Sequence, residues 1–199
     1  HMDAHGIMAA ILHDVIEDTA ISKEQLSVEF GPEVADLVDG VTKLSKIDSH
    51  TRAQAQAENV RKMFLAMAKD LRVIIVKLAD RLHNMQTMGS MPSEKKRRIA
   101  KETLEIYAPI ANRLGMNEVR HQLEALGFKA LYPHRYAAIS NAVKKSRGNR
   151  KEIVDMIQSA IQNRVTEMGR DCTLAGREKN IASIHHKMVT KKISFSDVF

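Results

Sequence analysis

A single cysteine, Cys172, leaves this chain of 199 residues without an internal disulfide and suits a reducing compartment. Tryptophan is absent and aromatic residues make up only 4% of the chain, while methionine occurs 11 times, a balance that suits helix packing better than a β-sandwich. No apolar run approaches the roughly 20 residues needed to span a bilayer, no signal peptide is visible, and there is no internal repeat or low-complexity run. A membrane partner is therefore not expected. What is present is ordinary for a globular protein, 44% hydrophobic and 28% charged. The formal charge of +7 favours an anionic partner, whether nucleotide, nucleic acid or acidic protein. His1-Met2 reads as a cloning remnant and stays outside the fold reasoning.

Apolar periodicity predicts helices almost throughout. Residues 3–18 read as one largely buried helix whose acidic end opposes the helix dipole, a sign of function rather than stability. Ser22 and Gln25 form a capping box for a short helix reaching Phe30, and Gly31-Pro32 opens another with Val34, Leu37, Val38 and Val41 inward. A polar loop near 47–51 precedes a helix over 54–68. Val73-Ile74-Ile75-Val76 suits a buried strand or helix, but Leu78, Leu82 and Met85 continue at helical spacing, so 71–88 reads as one helix. Pro109 is expected to kink a helix ending at Gly115, and a helix from Asn117 is expected to stop at Gly127. Helices over 133–146 and 149–168 follow, with Gly148 and Gly169 as stops. From Asp171 the texture changes: Cys172 to Ala175 suits a short strand, and a glycine turn then leads into a last helix.

Chemistry concentrates in Leu12-His13-Asp14-Val15-Ile16-Glu17-Asp18-Thr19. Helical spacing puts His13 one turn from Glu17 and Asp14 one turn from Asp18. Clustered carboxylates repel one another and burial is costly, two problems that a divalent cation relieves together. His13 and Asp14 offer a nitrogen and an oxygen to one ion; the plain alternative is a solvated acidic helix end. Asp80 stands in the apolar run Leu78-Ala79-Asp80-Arg81-Leu82, a poor place for a lone charge, with an Asp80–Arg81 ion pair as the simple alternative. Asp80, Asn84 and Thr87 share a helix face. The basic runs 95–98 and 144–151 suit solvated faces or phosphate contacts, and Arg177, Lys179 and Lys187 suit a triphosphate.

MAAILHDVIEDT, KLADRLHNMQT, GNRKE and GREKNIASIHHKM resemble the RelA/SpoT family of bifunctional guanosine tetra- and pentaphosphate enzymes, most closely its SpoT branch. The resemblance implies an all-α, HD-domain-like bundle, then a helical linker, then the first strand and helix of an incomplete α/β synthetase domain. The boundaries it implies are 3–114 for the hydrolase domain without its first helices, 115–169 for the linker and 170–199 for the synthetase start. It further implies a cytoplasmic bacterial (p)ppGpp 3′-pyrophosphohydrolase whose Mn²⁺ is held by His13, Asp14 and Asp80, with a fourth ligand, a histidine, on a helix before residue 3. Without that ligand the fragment is expected to be weak or inactive. Glu17 and Asp18 match the catalytic acid pair, and Asn84 and Thr87 match positions near the substrate sugar and pyrophosphate. Arg177, Lys179 and Lys187 match an incomplete synthetase nucleotide site, where Mg²⁺ belongs only to the complete domain.

Two other readings stay open. One is a non-catalytic regulatory fragment meeting a protein such as acyl carrier protein or a GTPase, which the positive charge suits. The other, a nucleic-acid module using the two basic runs, is not expected, because phosphate contacts have no need for three acids beside a histidine.

Overall fold

The structure, a computed structural model, describes residues 2–45, 61, 65, 66, 68–147, 150–174 and 180–198. Its helices are α1 (Ala4–Ile11), α2 (Val15–Asp18), α3 (Lys23–Phe30), α4 (Pro32–Ser45), α5 (Leu71–Thr87), α6 (Ser93–Glu102), α7 (Ala108–Arg113), α8 (Asn117–Leu131), α9 (Pro133–Arg147), α10 (Arg150–Glu167), α11 (Ile181–Lys191) and α12 (Phe195–Val198). A 3₁₀ turn follows α5 at Met88–Ser90, and a π-helical turn, Thr103–Tyr107, separates α6 from α7. The chain divides into two compact units, one of residues 1–91 and 102–123, the other of residues 92–101 and 124–199.

The first unit is built around α4 and α5, which pack on each other and on α1. Val34, Leu37, Val38 and Val41 of α4 are buried, as are Val73, Ile74, Val76 and Leu78 of α5. The β-branched run is thus helical, because tertiary burial outweighs its modest strand preference. Gly40, a costly residue in mid-helix, has a packing reason: a Cβ there would stand 3.0 Å from Val73 Cγ2, so any larger residue would push against α5. Asp70 caps α5 by accepting from the Arg72 amide at 2.8 Å. The Arg72 guanidinium reaches back to Asp70 at 2.6 Å and joins Asp3, the cap of α1, at 2.6 Å and Glu33 in the first turn of α4 at 2.8 Å.

The Arg72 side chain beside Asp70 holds the Asp70 carboxyl below its usual 3.8. A carboxylate depressed in the folded state contributes stability that is complete above 3.8 and is lost as pH falls below that value. Asp70→Ala should therefore cost about 1 kcal/mol at neutral pH, the typical worth of such a cap. The gap from wild type in urea midpoint should narrow as the buffer is taken below pH 3.8.

In the second unit Phe128, Ile139, Val143 and Ile184 form a small core with Tyr136, Ile181 and Met188 against it. The His185 ring lies 4.5 Å from that of Phe128, and burial, helped by Arg135, lowers its pKa from the usual 6.5. Helix α10 carries Val154, Met156, Ile157 and Ile161 exposed.

Several sequence expectations are met: the Ser22–Gln25 capping box, the break at Gly31, the single helix over 71–87, and stops at Gly115 and Gly169, both at positive φ. Others are corrected. Helix α8 runs through Gly127 to Leu131, because burying Phe128 outweighs one glycine and the stop comes from Pro133 instead. Cys172 to Leu174 have no regular structure, and no strand occurs among the described residues; a short alternating run with no ladder partner gains nothing from extending. The distortion expected at Pro109 is the π turn just before it, with Pro109 accommodated in the first turn of α7. Of the helix expected over 54–68, Arg61, Leu65, Ala66 and Ala68 are described and helical; the rest, and the 47–51 loop, lie outside the described residues.

Candidate functional site

The HD segment is not one continuous helix. Helix α1 ends at Ile11, Leu12 to Asp14 form a turn, and α2 is a single turn whose Glu17 and Asp18 amides donate to the Asp14 carbonyl at 3.0 and 2.8 Å. This corrects two expectations. Glu17 and Asp18 belong to a single separate turn, α2, rather than to the C-terminal end of a long helix, so no long helix dipole opposes them. The segment is also more open than its apolar residues suggest: Asp14, Glu17 and Asp18 are exposed, and so are Ile7 and Ile11 of α1.

The break gives His13 its orientation. Its Nδ1 lies 2.9 Å from the Ala10 carbonyl, a group that can only accept, so Nδ1 carries a proton and Nε2 is left for other partners. Nε2 then faces Asp14 Oδ2 at 3.0 Å and Asp80 Oδ1 at 3.7 Å. A lone pair set against two carboxylate oxygens is stable only with a proton or a cation between them. One nitrogen and two oxygens suit a divalent ion, so these residues fit the metal implied by the sequence.

Asp80 projects from the middle of α5 with its side chain only 10% exposed. Lys77 holds its Oδ2 at 2.7 Å and the Asn84 amide donates to its Oδ1 at 2.6 Å. The simple alternative, an Asp80–Arg81 pair, gives way: Arg81 turns to Glu102 at 3.2 Å and stacks 4.1 Å from the Tyr107 ring centroid. Asp14, Glu17, Asp18, Asp80 and Asn84 line one cavity of about 340 Å³. Leu44, Lys77, Arg81, Glu102 and Tyr107 complete its wall, and sequence reasoning passed over Lys77, Glu102 and Tyr107 as site residues. Lys77 had a signal, a lysine three residues before Asp80 within an apolar helix; Glu102 and Tyr107, distant in sequence, had none.

Thr87 is not brought into this cavity; its hydroxyl donates to the His83 carbonyl at 2.9 Å. Arg177 and Lys179 lie outside the described residues, so Lys187 alone of the expected nucleotide site can be placed, on α11. Among the described residues the trio whose ligand atoms all lie within 4.8 Å of one another is Asp3, His5 and Glu33, not His13, Asp14 and Asp80. That exposed trio already holds the Arg72 guanidinium between Asp3 and Glu33, so it reads as an ion-pair network. A larger hollow of about 800 Å³ beside α4 is lined by lysines and acids that already pair, Lys23 with Asp36 at 2.6 Å and Lys43 with Asp39 at 2.7 Å.

Residues 1–117 match the family model described as the HD domain. The chain belongs to the HD-domain family. As an HD-domain chain it is 53% identical over 197 residues to the guanosine-3′,5′-bis(diphosphate) 3′-pyrophosphohydrolase of Vibrio cholerae, covering 99% of this chain and 28% of the relative. Over the same length it is 52% identical to the bifunctional (p)ppGpp synthase/hydrolase SpoT of Escherichia coli, with the same coverage. The Haemophilus influenzae pyrophosphohydrolase is 49% identical over 198 residues, covering 100% of this chain and 29% of that protein. The resemblance to RelA/SpoT enzymes thus holds along the whole chain, which spans little more than a quarter of the length of these curated relatives.

Proposed function

We propose that this HD domain hydrolyses guanosine tetra- and pentaphosphate at the 3′ position with a divalent metal, Mn²⁺, releasing pyrophosphate and GDP or GTP. The observation that carries the reading is His13 Nε2 set against Asp14 and Asp80 at the rim of a cavity that also holds Glu17 and Asp18. His13, Asp14 and Asp80 would hold the ion, which when bound polarises phosphate oxygens and offers hydroxide near neutral pH. Asp18 or Glu17 accepts the proton of the attacking water, which adds to the 3′-linked phosphorus as the bond to the ribose 3′ oxygen breaks. That proton then passes to the 3′ oxygen as it leaves as a hydroxyl. Asn84 steadies Asp80 and faces the sugar and pyrophosphate from the cavity wall; Thr87, one turn on, would have to give up its bond to the His83 carbonyl to join it. The hydrolase domain ends near Leu114, which the family match to residue 117 supports, and a linker over 115–169 leads to the synthetase start. We assign the protein to the bacterial cytoplasm; no helix among the described residues is long and apolar enough to cross a membrane.

The test is a chimera in which this chain replaces the matching 197 residues of the E. coli relative. It should release pyrophosphate and GDP from guanosine tetraphosphate in manganese buffer and stop when the metal is chelated. A folded chimera releasing neither product would overturn the reading. A second reading, a regulatory helix meeting an acidic protein such as acyl carrier protein, draws on the exposed Val154, Ile157 and Ile161 of α10.

A further inference from the structure

We propose that Lys77 is a positioning residue for Asp80, fixing which of its two oxygens is offered to the metal. The inference rests on the metal reading above and extends it to a residue outside the ligand set. Lys77 lies one turn before Asp80 on α5, and the two side chains are 9% and 10% exposed. A lysine buried to that degree is costly, and here its ammonium is spent on the buried acid of the site. The two oxygens of Asp80 are treated differently. Lys77 takes Oδ2 at 2.7 Å, whereas Oδ1 accepts from Asn84 at 2.6 Å and is the oxygen that faces His13 at 3.7 Å. Held at both ends, the carboxylate cannot spin about its terminal bond, and only Oδ1 is offered on the His13 side.

Two other roles for Lys77 fit less well. A cation competing with the metal would sit on the oxygen that the metal shares with His13, but Lys77 sits on the other one. A phosphate-binding lysine would turn its ammonium toward an incoming anion, whereas Lys77, though it lines the cavity, holds its ammonium 2.7 Å from Asp80 Oδ2. Outer partners that orient metal ligands typically change metal affinity by about 10–100-fold when removed.

Manganese binding to the 199-residue chain, read by the loss of the free-ion paramagnetic resonance signal, tests the proposal. Lys77→Met should weaken binding by about 10–100-fold, and Lys77→Gln, which keeps a donor but no charge, should recover most of it. Unchanged or tighter binding in Lys77→Met, beside a His13→Ala chain that has lost binding, would overturn the positioning role and leave the metal site standing. Binding that survives His13→Ala would instead remove the metal reading itself. A second measurement serves if Lys77→Met does not fold: the infrared carboxylate band of wild type that shifts with manganese and is missing in Asp80→Asn. The wide splitting of a one-oxygen ligand is expected; the narrow splitting of a chelating carboxylate would overturn the proposal.

Discussion

An Asp80→Ala chain is expected to bind no measurable manganese and to lose about 3–5 kcal/mol of stability. The two losses have different origins. The first follows from removing an oxygen that faces His13 Nε2 at 3.7 Å. The second follows from removing one partner of a buried ion pair, the carboxylate 2.7 Å from Lys77. Replacing Lys77 and Asp80 together by apolar residues should therefore recover part of the stability and none of the manganese binding. Glu17→Ala should leave manganese binding nearly intact, because Glu17 shares the cavity without facing His13. Calorimetric titration and urea unfolding of the four chains check this. Equal manganese in wild type and Asp80→Ala would end the ligand assignment.

In the chimera with the E. coli relative, Asp18→Asn should lower turnover by about two to four orders of magnitude, the usual worth of a positioned proton acceptor. Asparagine keeps the shape of the side chain and leaves the Asp18 amide bonded to the Asp14 carbonyl at 2.8 Å, so α2 should stay in place. Manganese affinity and KM should change little. The comparison rests on initial rates of pyrophosphate release at saturating substrate. A variant with wild-type turnover would take Asp18 out of the chemistry.

The motif-bearing residues were legible because their oddity is local. Asp80 inside an apolar helix, and an imidazole beside three acids, are misplaced by the rules of burial, and the structure brings His13, Asp14 and Asp80 to one place. Caps and breaks read well for the same reason: Ser22, Gln25 and Gly31 act within a turn of where they stand. What was not legible depends on residues far apart in the chain. Whether Gly127 stops a helix depends on what Phe128 can reach, and Ile139, Val143 and Ile184 supply that core. Cys172 to Leu174 looked extended by alternation, but alternation names a strand only where another strand waits. The break at Leu12 to Asp14 was hidden because an apolar stripe runs unbroken across it in the sequence. That break decides the site, since a continuous helix would have aimed His13 differently.

Gly40 lies far from the chemistry along the chain, yet it governs the aperture of the site. A Cβ there would stand 3.0 Å from Val73 Cγ2, so α4 meets α5 closely at this position. Leu44, one turn on from Gly40 in α4, and Asp80, two turns on from Val73 in α5, are both in the cavity wall. The two helices act as the arms of a caliper closed at that contact. The gauge to which the arms are set, and with it the reach from α5 to the His13 turn, is the missing side chain of one glycine.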